Sequence, residues 1–266
     1  MLEATLKLVG EQATTLKSAI KQDSYRYSDR LTLTWQSEQQ KAGWDFKGID
    51  YTLEDSVISG EQVVRWNGKP KLYKNLPVIG NTLADIKVNR PSTYYIPPQW
   101  TEVIGRLELH GIRMTRLEQS KSLSLSQYQF GAPQFASQDY EGRQRVTAEV
   151  SSKVVTTQLP AGTVKIDTRQ PLGDLAILLL EPQSPDSLFQ WGFFNPIFTR
   201  TEYIEHYAVE PMAAKMLADD PSLQAEFDKA LQDTDFASNA QARLRWFYER
   251  SPYYDRAYLA YPVLRN

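Results

Sequence analysis

The sequence predicts an α+β fold: a β-rich core of packed antiparallel or mixed sheets, with an N-terminal helix, one inserted helix and a helical C-terminal third. Three observations point there. Leu2, Leu6, Val9, Ala13, Leu16 and Ile20 recur at alternating intervals of four and three, which puts them on one stripe of a helix. From Tyr25 to Ile166 the chain runs mostly in short β-branched and aromatic segments punctuated by Gly, Asn and Pro. Beyond residue 200 helical spacing returns. The predicted divisions are an amphipathic helix over 1–24, a β-rich domain over 25–200 and a helical segment over 201–266 packed on it.

At 266 residues the chain can bury a substantial core. Its 30 Lys and Arg against 32 Asp and Glu leave no strong field for nucleic acid or an anionic membrane surface. No window approaches the roughly 18 consecutive apolar residues of a membrane span. The first dozen residues, MLEATLKLVGEQ, lack the basic stub and apolar core of a signal peptide, so the chain as written reads as soluble and cytoplasmic. The absence of cysteine excludes disulfides, thiolate metal sites and cysteine nucleophiles, and only two histidines, His110 and His206, are present.

Taken in order, the apolar stripe of the first helix has no surface before it to bury against. Its partner is either the core behind it or a segment upstream. Leu31 and Leu33 alternate with Thr32 and Thr34, and Val57-Ile58, Val63-Val64 and Trp66 are bounded by Ser59-Gly60 and Asn67-Gly68. These read as antiparallel hairpins, with Asn-Gly favouring a type I′ turn. Pro97-Pro98 introduces a helix carrying Trp100, Val103, Ile104 and Leu107 on one face, ended by His110-Gly111. His110 there suits the negative end of the helix dipole. Strands follow at 112–117, 125–130, 146–150, 154–159 and 164–166, with Pro160-Ala161-Gly162 as a tight reversal. This middle region reads as a sheet system of two packed layers.

Leu175–Leu180 is an unbroken apolar run of strand length between Gly173 and Pro182, and reads as a strand buried on both faces. Trp191, Phe193 and Phe194 follow as an aromatic knot, read as core or domain interface. In the last third Asp220-Pro221 resembles an N-cap with Pro at the first helical position, and Ser238 with Gln241 fits a capping box. Tyr253, Tyr254, Tyr258 and Tyr261 form an aromatic tail.

The chemical signals are sparse. Neither a nucleophile elbow, a phosphate loop nor H-E-x-x-H is present. Glu202, His206 and Glu210 stand at successive i, i+4 positions and would share a helix face, as a solvated strip of weak ion pairs or as mixed N and O metal ligands. Glu181 and Asp186 are two acids at the end of the apolar run. They would divide acid and base roles only if they converged in one cleft with one pKa raised. The plainer reading pairs Glu181 with an arginine such as Arg143 or Arg169, or has it cap a turn.

The succession YYIPPQW, VIGRLELHGI, YEGR, LPAG, QPLGDLAILLLEPQSPDSL and WGFF resembles the portion that follows the catalytic domain in bacterial zinc carboxypeptidase-like metallopeptidases of the carboxypeptidase A type. The likeness covers most of the chain, and the block from QPLG to LLEP is its most specific part. In that family zinc is held by an H-x-x-E pair and a later His, with a Glu general base further on. Here Arg113 and Val209 stand where the Glu of such a pair would follow His110 and His206. No catalytic or metal residue is therefore carried over. The resemblance implies a non-catalytic accessory region that packs on a peptidase domain upstream of Met1, with zinc expected only in that domain and a parent protein that is free to be exported. Leu2, Leu6, Val9, Leu16, Ile20, Trp191, Phe193 and Phe194 are then the candidate interface. A small-molecule ligand is not expected on this reading. The alternative is a self-sufficient carbohydrate- or peptide-binding β-domain that uses exposed aromatic side chains.

Overall fold

A computed structural model describes residues 2–40, 42–200 and 205–266. The fold is α+β, and the chain divides into two compact units. One joins the start of the chain, as far as Arg26, to Pro91–Pro182 and Asp186–Asn266. The other is Tyr27–Arg90 with Gln183–Pro185.

The predicted first helix is two helices, α1 (Leu2–Glu11) and α2 (Ala13–Asp23). Gln12 leaves helical geometry at φ −101°, ψ 14°. Gly10, a poor helix former, stands just before the break. No residue of either helix is buried.

The Tyr27–Arg90 unit is one long hairpin interrupted twice on each arm. The chain runs out through β1 (Arg30–Thr32), β2 (Trp35–Gln39) and β3 (Trp44–Asp55). It returns through β4 (Gln62–Leu76), β5 (Ile79–Ala84) and β6 (Lys87–Asn89). The pairs are nested and antiparallel: β3 with β4, β2 with β5, β1 with β6. The reversal comes at 56–61, where the Ser56 hydroxyl accepts from the amides of Ile58 and Ser59 and Gly60 takes a positive φ of 73°. Val57 and Ile58, expected in a strand, lie in that turn and are almost wholly exposed. Asn67-Gly68, expected as the turn, is a bulge inside β4. The register jumps there from Ile49 opposite Pro70 to Tyr51 opposite Trp66, and Gly68 supplies the positive φ that the extra residues need.

The other unit is built on a six-stranded sheet. Its elements are β7 (Thr93–Ile96), α3 (Thr101–Leu109), β8 (Thr115–Arg116), β9 (Lys121–Phe130), the short pair β10 (Gln134–Phe135) and β11 (Val146–Thr147), β12 (Val150–Leu159) and β13 (Val164–Asp167). Then come α4 (Gly173–Leu180), a 3₁₀ turn at Asn195–Phe198, α5 (His206–Asp219), α6 (Pro221–Ala230), α7 (Thr234–Ser238), α8 (Ala240–Arg250) and β14 (Ala260–Arg265). The sheet order is β12-β9-β14-β7-β13-β8, and every pairing among the described residues is antiparallel.

Helix α3 buries Val103, Ile104 and Leu107 as its spacing predicts. It ends in a Schellman turn: the Ile112 amide donates to Leu107 and that of Gly111 to Glu108, with Gly111 at φ 80° and His110 as the C-cap. Of the strand expected over 112–117 only Thr115–Arg116 forms.

Leu175–Leu180 is not a strand. It lies in α4, opened by the Ala176 amide donating to Leu172 and closed by that of Glu181 donating to Ile177. A continuous apolar run cannot by itself distinguish a buried helix from a buried strand. Leu is a strong helix former, and Ala176, Ile177 and Leu180 share one face and are buried. Gly173 admits the tight entry, since a Cβ there would stand 1.8 Å from the Thr168 carbonyl oxygen. The Gln170 side chain holds the approach. Its Oε1 accepts from the Arg113 amide at 2.8 Å while its Nε2 donates to the carbonyls of Arg113 and Asp167.

The sheet position left open is taken by β14, from the supposed aromatic tail. Pro262 lacks an N–H and argues against a central strand, but it falls where the pairing with β9 shifts between Ala260 and Leu264. One face of the sheet gathers Tyr95, Leu125, Leu159 and Leu264. The other carries Tyr94, Tyr128, Phe130 and Tyr261, and meets α4 and the aromatic segment 189–198 rather than a second sheet. Helices α5 to α8 form their own small core around Val209, Ala213, Phe227 and Phe247. Asp220 caps α6 as expected, accepting from the amides of Ser222 and Leu223. The cap of α8 is Asn239 and not Ser238, which instead ends α7.

Candidate functional site

Glu181 is the C-cap of α4 and 1% exposed, aimed at the face of the sheet where β9, β14 and β7 lie side by side. Each of the three strands contributes one group to it. Tyr94 of β7 donates its hydroxyl to Oε1 at 2.5 Å, and Tyr128 of β9 donates to Oε2 at 2.6 Å. Arg265 of β14 places Nη1 2.9 Å from Oε1 and its guanidinium 4.1 Å from the centre of the Tyr128 ring. The register makes this possible, because Arg265 stands opposite Tyr94 on one side and Ser126 on the other. Tyr261 completes the cluster by donating to the Leu180 carbonyl at 2.8 Å, which satisfies one of the helix's last acceptors.

Burial and the Glu181 charge push the Tyr94 and Tyr128 phenols well above their ordinary range, so both are neutral donors at any physiological pH. Tyr261, fully buried, is raised in the same way. Glu181 Oε1 accepts from Tyr94 and Arg265 and Oε2 from Tyr128, and the carboxylate is closed from solvent. Its work is to lock α4 to three strands. The arginine partner is Arg265, not Arg143 or Arg169. Arg143 pairs with Glu102 and lies 3.9 Å from the Phe193 ring centre.

Asp186 does not join Glu181. It is exposed, at φ 60°, and pairs with Arg145 at 3.0 Å. The two acids have separate partners and opposite exposure, so the shared cleft that acid and base roles would need is not formed. Glu202 lies outside the described residues. His206 opens α5 and Glu210 follows one turn later, both exposed. Among the described residues no three His, Asp or Glu side chains come together in a way that could hold a metal ion. Of the two histidines, His110 is the C-cap of α3.

The candidate interface divides. Phe194 is fully buried against Trp100 and Tyr261 and belongs to the core. Trp191 and Phe193 are half-buried, with Arg145 and Arg143 over their rings. The stripe on α1 and α2 is open: Leu2, Leu6, Val9, Leu16 and Ile20 are all exposed, Leu2 at 74%.

A second exposed apolar feature lies on the long hairpin. Along β3 and β4, Phe46, Ile49, Tyr51, Trp66, Tyr73 and Leu76 border an open cavity of about 760 Å³. Gly48 forms its floor, where a Cβ would meet the rings of Phe46 at 2.9 Å and Tyr73 at 3.1 Å. Tyr51 and Trp66 pack edge to face, centroids 5.5 Å apart. The available signal was the alternation Trp44, Phe46, Gly48 along one strand.

Part of the chain matches fungal proteins. It is 33% identical over 117 residues to carboxypeptidase 2 of Trichophyton tonsurans, covering 43% of this chain and 21% of that protein. The match to carboxypeptidase 2 of Trichophyton equinum has the same extent. A probable carboxypeptidase 2 of Arthroderma benhamiae is 33% identical over 102 residues, 38% of this chain and 19% of that protein. The chain contains a carboxypeptidase-related region. It spans about a fifth of the length of these curated relatives. They are fungal, so the bacterial setting rests on the sequence resemblance alone. No family model matches the chain, and no solved structure does.

Proposed function

We propose that this chain is a non-catalytic accessory region of a zinc carboxypeptidase-like protein, which packs on and supports a peptidase domain that carries the metal and the reaction. The observation that carries the reading is the open stripe on α1 and α2, where five large apolar side chains face solvent from helices that bury nothing. Large apolar side chains left exposed together on a pair of helices mark a candidate contact face. The kinship of part of the chain to proteins named carboxypeptidase 2 supports a carboxypeptidase-like parent, and the engagement of Glu181 with Tyr94, Tyr128 and Arg265 supports a structural role for the best-placed acid. The test is hydrolysis of peptides with free C-termini by the purified chain with added zinc, alone and with the remainder of a carboxypeptidase 2 polypeptide supplied in trans. No turnover alone, with binding to the added polypeptide that Leu6→Glu and Leu16→Glu abolish, is the expected result. Turnover by the chain alone refutes the proposal.

The aromatic cavity on β3 and β4 favours a second reading, a binding module for flat-faced sugars or apolar peptide side chains. Saturable binding of oligosaccharides or peptides that Trp66→Ala removes would support it.

A further inference from the structure

We infer that a groove on the six-stranded sheet binds a small organic anion with an apolar body. The groove has a volume of about 640 Å³, within the range of small-molecule sites. Val155 and Leu264 line its base, Tyr254 and Tyr258 one wall, and Lys153 and Arg256 are its charged groups. No Asp or Glu lines it, although the chain has more acids than bases. Among the described residues neither Lys153 nor Arg256 has a carboxylate within ion-pair distance.

The wall is held in place independently of any ligand. Gln127 and Gln129 of β9 donate their side-chain amides to the carbonyls of Tyr261, within β14, and Tyr258, so the second of these bonds ties the segment before β14 to the sheet. Tyr258 also carries the Arg200 guanidinium 4.6 Å from its ring centre, and Tyr254 packs edge to face on Tyr248. A concave site with fixed aromatic walls, an aliphatic base and two unneutralised cations favours an anionic head beside an apolar or aromatic body. A zwitterion finds no acid in the lining to receive its ammonium group. A planar carboxylate and a phosphate share the required chemistry.

The test is titration of the full chain with N-acetylphenylalanine, its neutral amide and phenyl phosphate, followed by calorimetry and by amide shifts at Gln127 and Gln129. Saturable binding of at least one acid, about tenfold or more tighter than the amide, is expected, scaled to two partly exposed cations. The tighter of the two acids identifies the head group. Lys153→Gln with Arg256→Gln should remove that preference while circular dichroism and Tm stay unchanged, as both side chains are exposed. Equal binding of acid and amide, affinity retained in the folded double variant, or no saturation by either acid overturns the inference. None of these readouts depends on peptidase activity.

Discussion

Glu181 joins a helix end to three strands through a single carboxylate, and its partners define what each substitution should cost. Glu181→Ala removes the acceptor of two phenols and the partner of Arg265, whose side chain is only 19% exposed. Breaking a buried pair from one side costs about 3–5 kcal/mol. Tyr94→Phe and Tyr128→Phe each remove one donor and should cost about 1–3 kcal/mol apiece. Because the groups share one acceptor, the double variant should differ from the sum of the two. Chemical denaturation checks all four. A loss for Glu181→Ala no larger than that of a surface substitution would mean the cluster does not hold the fold. Glu181 stood out in the sequence because it ends an apolar run. Its partners did not, since Tyr94, Tyr128 and Arg265 meet only through strand register, and nothing local to any of them announces the meeting.

At the scale of elements, α1 and α2 contribute no buried side chain. Leu6→Glu and Leu16→Glu should therefore leave the unfolding free energy of the isolated chain within about 0.5 kcal/mol of its starting value, the usual range for surface changes. Thermal unfolding measures this, and a large fall would mean that the stripe is covered within the chain itself. Helix α3 and the cap of α6 were legible because a terminating Gly111 and an Asp220-Pro221 pair act locally. Helix α4 was not, because six consecutive apolar residues suit either a buried strand or a buried helix, and the decision was made by a sheet already filled by β14. Strand β14 was hidden by Pro262, which reads as a strand breaker unless the bulge around it is known. The Asn67-Gly68 pair misled for a related reason. Its positive φ is real, but the same geometry serves a bulge as well as a turn.

For the whole molecule, the raised phenols of Tyr94, Tyr128 and Tyr261 link stability to alkaline pH. Burial is the main cause in each, with the Glu181 charge next. A phenol whose folded pKa is raised remains neutral in the native protein while the unfolded chain begins to ionise near the ordinary value of about 10. The associated stability is fully present below that pH and is lost as pH rises toward the folded values. Denaturation curves should show a constant contribution through neutral pH and a decline above about 10 that Tyr94→Phe makes shallower. An alkaline limb unchanged in that variant would assign the decline to other groups. The alternation and helix-stripe patterns fixed the α+β class correctly, because they need only one period at a time. Which strands lie beside one another did not follow from them.

The position of β14 bears on how the sheet is assembled. Leu264 pairs with Tyr95 and Gln127, both well over a hundred positions earlier in the chain. While a ribosome is still translating the helical third, β7 and β9 therefore have no neighbour between them, and their inner edges stay available for wrong pairings. The middle of the sheet is thus filled by the last of its six strands to be translated.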